Sequence, residues 1–460
     1  MRQALRRVPL KCENIMMTAA HAMTLVHSSS PYDANRSAFN CMGLVETLFP
    51  LPRSLTGHGV RNTLKEIARH IPLTITEVPS GTPVLDWQVP NEWNIRAASI
   101  KSLSGETLID FDRSNLHVVS YSRPIRAILS REELAHHVHT LPEQPDVIPY
   151  RTAYYANDWG FCMQDARWQA MQDDAYSVEI DSDLAPGHLT YGELLVPGLT
   201  DDEILISVHI CHPSLANDNL SGIAVATALA KQLLCTPSRM GVRFLFVPAT
   251  IGAITWLAQN EAALGRIKHG LVLTCLGDAG GFHYKASRRG AEIDRVVGYI
   301  LAQSPISSTL LPFTPYGYDE RQYCSPGFDL PVGCLMRGVH GQFPEYHTSR
   351  DDCSFVTATA LDQSLEIVSQ IVSTLQRNVF YERMDGRGEP QLGERGLYRA
   401  IAGQSDAGGA SQMDLLWLLN LADGRHSLLD IATLADTPFD RIDAAAGLAL
   451  HAGLVRSRAS

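Results

Sequence analysis

The spacing of apolar positions changes character along the chain. In GVRNTLKEIARHI, Val60, Leu64, Ile67 and Ile71 recur at helical intervals, and LVETLFPLPRSLTG just before it reads as a helix stopped by a Pro-rich turn. From Leu73 the texture turns to short β-rich runs. LTITEVPSG, WNIRAASIKSL, ETLIDFD and LHVVSYS, separated by Pro, Gly or charged turns, predict an antiparallel unit. After a mixed stretch containing YRTAYYANDWGFC, YSVEIDS and YGELLVP, an α/β rhythm sets in. ILISVHI is a continuous apolar strand followed by the helix-like SGIAVATALAKQLL, and VRFLFVP, LVLTCLG and LPVGCLM are further strands with helical segments between them. Continuous apolar strands fit a sheet covered by helices on both faces.

GRGEPQLGERG and GQSDAGGASQ, across residues 385–410, read as a linker or mobile loop. MDLLWLLNLADG, SLLDIATLADTPF and DRIDAAAGLALHAGLV then give helical segments with the spacing of a winged-helix unit. The expected organisation is a variable extension over residues 1–42 and an α/β domain over 43–75 and 148–385. A β-rich antiparallel insertion occupies 76–147, and a winged-helix-like domain 390–460.

Composition narrows the function classes. The 460 residues carry a net charge of −11 and no run of 18 apolar residues, which argues against nucleic-acid partners and a membrane span. The third terminal helix offers only Arg441, beside Asp440 and Asp443, so the terminal module reads as a packing or protein-interaction unit rather than a DNA reader. Arg2, Arg6, Arg7 and Lys11 precede only short apolar runs broken by Glu13 and His21, a poor signal peptide; the stretch reads as a loose extension or an over-long start, with Met42 as an alternative beginning. Nine scattered cysteines, an odd count, suggest a reducing compartment and hence the cytoplasm. A small substrate or another protein is the expected partner, and a homo-oligomer is compatible with the sequence.

The candidate chemistry lies in three loops. HICHPSLANDNLSG places His209, His212 and Asp218 between a strand and a helix start, where α/β proteins gather their sites. Imidazole and carboxylate are ligands that zinc accepts, and a catalytic zinc takes three from protein. FPEYHTSRDD adds His347, and YGYDERQYCSPGFD adds Asp319 and Glu320. The competing reading is plain: buried histidines that only hydrogen-bond, Asp319 and Arg321 on the surface, and Asp351 at a helix start. Tyr154, Tyr155, Asp158 and Trp159 suit a pocket lining or an ordinary core.

Taken together, HICHPSLANDNLSG, YDERQYCSPGFDLPVG and PEYHTSRDD resemble a family of aminopeptidase-like zinc proteins that have an inserted antiparallel domain and a C-terminal winged helix. The resemblance extends over PLPRSLTG, PYRTAYYANDWGFC and the terminal module. That family is distantly similar to the dizinc aminopeptidases and glutaminyl cyclases, and its members often accompany sugar-polymer or natural-product genes. The resemblance implies an aminopeptidase-like mixed sheet flanked by helices, with Asp218 as metal-binding or metal-bridging carboxylate, His347 as the last metal ligand, and His209 or His212 as the strand-end ligand.

The departures from the wider pattern are equally informative. Ala249 stands where the water-activating glutamate is expected, a position at which the narrower family usually keeps glutamate. Thr250 replaces a ligand glutamate and Cys275 a ligand aspartate. One zinc ion per chain is therefore expected, with Glu320 or Glu345 as a replacement base. Three functions follow: a one-zinc hydrolase of a small amide or aminoacyl conjugate, an acyl or aminoacyl transfer or cyclisation, and a catalytically weak binding or assembly protein.

Overall fold

The computed structural model describes residues 39–397 and 409–458. Most of the expected extension, and residues 398–408 of the expected linker, lie outside them. The chain divides between Gln376 and Arg377 into two units.

The first unit is built on a mixed eight-stranded sheet. From one edge its order is Thr74–Pro79, His188–Val196, Gly241–Val247, Glu203–His209, Ile267–Leu273, Val332–Met336, Phe282–Lys285 and Ser308–Leu311. The strands from Gly241–Val247 to Val332–Met336 run parallel. The first two strands pair antiparallel, as do His188–Val196 with Gly241–Val247 and Val332–Met336 with Phe282–Lys285. Every residue of Glu203–His209 is buried, as a strand covered on both faces requires. The chain continues from this strand to Gly241–Val247 on one side and then to Ile267–Leu273 on the other. Its carboxyl end, His209, is thus a topological switch point, where open α/β sheets form their crevice.

The insertion differs from its expected limits. Thr74–Pro79 belongs to the main sheet. The four-stranded antiparallel sheet joins Thr107–Asp110, Glu92–Ser102, Ala175–Ala185 and Ile125–Ser130, so it reaches well past residue 147. In Ala175–Ala185 the buried residues Tyr176, Val178, Ile180 and Ser182 alternate with less buried ones. That period marks a half-covered strand, but its partners are decided by pairing across a long sequence separation. The expected start at Gly43 shifts too: helix Cys41–Leu48 begins earlier, and the Asn40 side chain accepts from the Gly43 amide at 2.9 Å.

In the second unit, helices Gln412–Leu421, Leu428–Leu434 and Phe439–His451 accompany a three-stranded antiparallel sheet. Its central strand is Phe380–Arg383, which pairs with Asp423–Ser427 and Val455–Ser457, so this module starts before residue 390. A four-residue strand carries too little periodicity to be read locally. Capping boxes at Ser411/Asp414 and Ser427/Asp430 start two of the helices. Among the described residues, no helix is long and apolar enough to cross a membrane.

The reassigned strand is testable. Ile180→Ala, deep in the inserted sheet, should cost about 2–5 kcal/mol in urea denaturation. Glu179→Ala should cost at most about 1 kcal/mol, since its ion pair with Arg126 is solvent-exposed.

Candidate metal centre

The centre begins with the turn Ala216–Ser221, in which Asp218 (φ −107°, ψ 83°) and Asn219 (φ −141°, ψ 37°) leave helical geometry. Side chains from distant segments hold this shape. The Asp351 carboxylate accepts from the amides of Asn217 at 2.5 Å and Asp218 at 3.0 Å, and its carbonyl accepts from Ala216 at 2.9 Å. Asn217 donates through Nδ2 to Asp278 at 2.8 Å and accepts from the Gly277 amide at 2.8 Å. Asn219 donates to the Leu273 carbonyl at 3.0 Å and accepts from the Gly222 amide at 3.1 Å. The polar residues of LANDNLS thus satisfy backbone groups, as buried polar atoms must. The Asp218 carboxylate is left to face the histidines.

Both of its oxygens meet an imidazole. Oδ1 lies 2.9 Å from Nε2 of His209, and Oδ2 lies 3.1 Å from Nε2 of His347, 129 residues away. His347 has a left-handed backbone (φ 55°), and its loop is tied to residues 148–150 by Tyr150 N–H to the His347 carbonyl (2.8 Å) and Ser349 N–H to the Ile148 carbonyl (2.9 Å). The His212 ring is 4.8 Å from that of His209 and 5.1 Å from that of His347. One ligand atom each from His209, His212 and Asp218 lie within 4.8 Å of one another. The His212 Nδ1 is buried and, among the described residues, has no hydrogen-bond partner.

The surroundings of His212 and Asp218 favour the protonation states that a metal requires. Burial pushes His212 well below the usual histidine range, helped by the neighbouring His209, His347 and Arg53 and opposed by Asp218. Burial works to raise Asp218, but His212, His209 and His347 hold it well below the carboxylate range. A neutral imidazole beside an ionised carboxylate is the form that binds a divalent cation. Tyrosines wall the cluster: Tyr318 stacks on His209 at 5.1 Å, Tyr346 stacks on His347 at 4.0 Å, and Tyr150 meets His212 and His347 edge-on, each at 5.1 Å. The orphaned nitrogen and this donor set fit zinc, which accepts imidazole and carboxylate ligands.

The expected replacement bases are not among these groups. Glu320 is fully buried and ion-paired with Lys285, which also donates to the carbonyls of Thr314 (3.2 Å) and Tyr316 (2.8 Å). Its carboxylate is committed to that ion pair, outside the cluster of ligand atoms. Glu345 lies two residues from His347 in sequence but outside the cluster of ligand atoms. Its carbonyl accepts from the Thr348 amide at 3.1 Å, and among the described residues its carboxylate has no hydrogen-bond or ion-pair partner.

The three positions at which the resemblance expects carboxylates lie near the cluster without supplying any. Ala249 and Thr250 follow the Gly241–Val247 strand beside His209, and Thr250 precedes helix Ile251–Gln259 without capping it. Cys275 is buried, 3.4 Å from the Tyr318 hydroxyl, and burial pushes its thiol well above the usual range, so it remains neutral. Two other expectations change. Asp319 is buried rather than on the surface, and burial raises it to about 7. Asp351 does not start a helix, since the next one begins at Ala358; it clamps the Asp218 turn. Asp278 and Arg53 were not singled out by sequence; the polar groups of LANDNLS that needed buried partners were a signal for Asp278, which meets Asn217, but not for Arg53, which holds the His212 and Leu48 carbonyls.

Residues 42–378 match the family model described as a domain of unknown function (DUF4910), and residues 379–457 match a winged helix-turn-helix model. The chain belongs to the DUF4910 family. A Clostridium acetobutylicum protein, provisionally named for polysaccharide biosynthesis with an aminopeptidase-like domain, is 46% identical to this DUF4910 chain over 404 residues, 88% of this chain and 93% of its own. A crystal structure from C. acetobutylicum, provisionally named a peptidase, is 43% identical with a TM-score of 0.86, covering 91% of this chain and 96% of that one. A zinc aminopeptidase from Bacillus subtilis aligns with a TM-score of 0.54 at 13% identity over 74% of this chain and 96% of its own, a likeness of fold alone. The DUF4910 domain therefore has an aminopeptidase-like α/β fold.

The clamp on the Asp218 turn gives a direct test. Asp351→Ala leaves two buried amides unpaired, and urea denaturation should show a loss of about 1–3 kcal/mol for each.

Proposed function

We propose that this chain is a one-zinc hydrolase of a small amide or aminoacyl conjugate, acting in polysaccharide or natural-product assembly in the cytoplasm. The observation that carries the reading is the convergence of His209, His212 and His347 on the buried Asp218, with the His212 Nδ1 left without a partner among the described residues. The relative named for polysaccharide biosynthesis supports the biosynthetic setting.

Asp218, His347 and the paired histidines would hold the ion. When bound, zinc supplies Lewis acidity to an oxygen of the substrate or of water. The protein contributes the rest. Asp218 provides the only ionised carboxylate in the cluster, and the stacked tyrosines fix the rings of His209 and His347. The His347 side chain is 32% exposed while Asp218 is fully buried, so substrate approaches from the side of His347 and Tyr346. With Ala249 in place of a base, hydrolysis is slow. That same gap favours a second reading, acyl or aminoacyl transfer or cyclisation, in which a nucleophile other than water attacks; a binding or assembly role is its limiting case.

The terminal unit is proposed to dock a protein partner. Arg441 is engaged by Asp414 at 2.8 Å, and Arg377 pairs with Asp440 and Asp443 at 2.7 and 2.9 Å, which leaves the third helix little positive charge for phosphates.

Elemental analysis of tag-free protein should find about one zinc per chain, lost in Asp218→Ala and His347→Ala without unfolding; no zinc after supplementation overturns the hydrolase reading. Ala249→Glu should raise amide hydrolysis by about 10²–10⁴-fold in a substrate screen. Unchanged turnover in that variant would favour the transfer reading.

A further inference from the structure

The PLPRSLTG turn contains one of the largest fully buried side chains in the protein, Arg53, which is 1% exposed. Burying a guanidinium is costly unless it is paired, and Arg53 has no carboxylate partner among the described residues. Burial lowers it to about 9, so it still carries its charge at neutral pH. Its hydrogen bonds are specific. Nε donates to the His212 carbonyl at 2.8 Å, Nη1 donates to the Leu48 carbonyl at the end of helix Cys41–Leu48, and Nη2 has no partner among the described residues. Nearby, Ser214 donates to the Phe49 carbonyl at 2.8 Å, a second tie across the same seam.

Leu48 already accepts from the Leu51 amide at 3.1 Å, so the turn is closed without Arg53. What Arg53 adds is a rigid fork between a helix end and the backbone of His212. His212 lies in a stretch with no regular structure between the Glu203–His209 strand and the Ala216–Ser221 turn. Among the described residues, its side chain has no hydrogen bond through Nδ1 to orient it. The carbonyl held by Arg53 is therefore its anchor.

We propose that Arg53 is a positioning residue of the metal centre, fixing the His212 backbone so that its imidazole meets the same ion as Asp218. The assignment rests on the zinc reading above. It makes the Pro-rich turn, 159 residues from His212, part of the site rather than a plain connector. Groups that hold metal ligands in place typically affect affinity by about 10–100-fold when removed. A planar fork is also not replaced by the single ammonium of lysine.

The test is zinc affinity, measured by competition with a chromophoric chelator on the full chain stripped of metal, with thermal melting of the metal-free protein alongside. Arg53→Met should weaken zinc binding by about 10–100-fold, and Arg53→Lys by about tenfold or somewhat less. Ser214→Ala, which removes the other tie across the seam, should leave affinity unchanged. Wild-type affinity in Arg53→Met with a lowered melting temperature overturns the assignment and makes Arg53 a packing residue. Should the methionine variant fail to fold, wild-type affinity in Arg53→Lys overturns it equally. No zinc binding by the wild-type chain refutes the zinc reading and the assignment together, whereas tight binding unaffected at Arg53 refutes the assignment alone.

Discussion

The buried charge of Asp218 is the constraint on which the centre depends. A carboxylate with no solvent exposure is stable only if its surroundings favour the ionised form, and here the favouring groups are three imidazoles, from a strand end, the stretch after it and a distant loop. Meeting that requirement brings the His209 strand end and the His347 loop onto one point. It also demands an irregular backbone at Asp218, where Asp351 takes the amides of Asn217 and Asp218, Asn219 takes that of Gly222, and Asn217 ties the turn to Asp278 and Gly277. The site is therefore a polar network packed inside an otherwise apolar layer, and its parts are interdependent.

That network also explains why lost carboxylates need not disrupt the fold. Ala249 and Thr250 lie at the mouth of a strand whose preceding residues are buried and apolar, and Cys275 fills its place as a neutral thiol against Tyr318. Each replacement removes a charge that would otherwise need a cation. What remains is a centre in which His209, His212 and Asp218 group their ligand atoms, His347 meets the same carboxylate, and tyrosines form the walls. Such a centre suits metal retention more obviously than rapid proton transfer, and the proposed function turns on that distinction.

The second unit shows the same separation between architecture and chemistry. Its helices and three-stranded sheet match a winged helix-turn-helix model, yet the charges on the third helix are largely engaged within the unit. Fold alone does not assign DNA reading, because sequence recognition resides in exposed donors and positive charge rather than in the arrangement of helices.

The α/β rhythm, the terminal helices and the loops bearing His209, His212, Asp218 and His347 were legible in the chain, since continuous apolar strands and ligand-type residues at strand ends are local patterns. That Ala249 stands where a glutamate is expected was an implication of the family resemblance, not of local pattern. Pairing was not legible: Ala175–Ala185 joined the inserted sheet, and Phe380–Arg383 became the centre of the terminal one, because strand partners are chosen across distance. Nor did local pattern reveal that Glu320 is neutralised by Lys285, that Asp351 clamps a turn, or that Arg53 holds His212. Sequence determined which groups with metal-binding chemistry exist and which are missing. Tertiary structure decided which of them meet, because burial and the identity of a buried group's partner depend on segments more than a hundred residues apart.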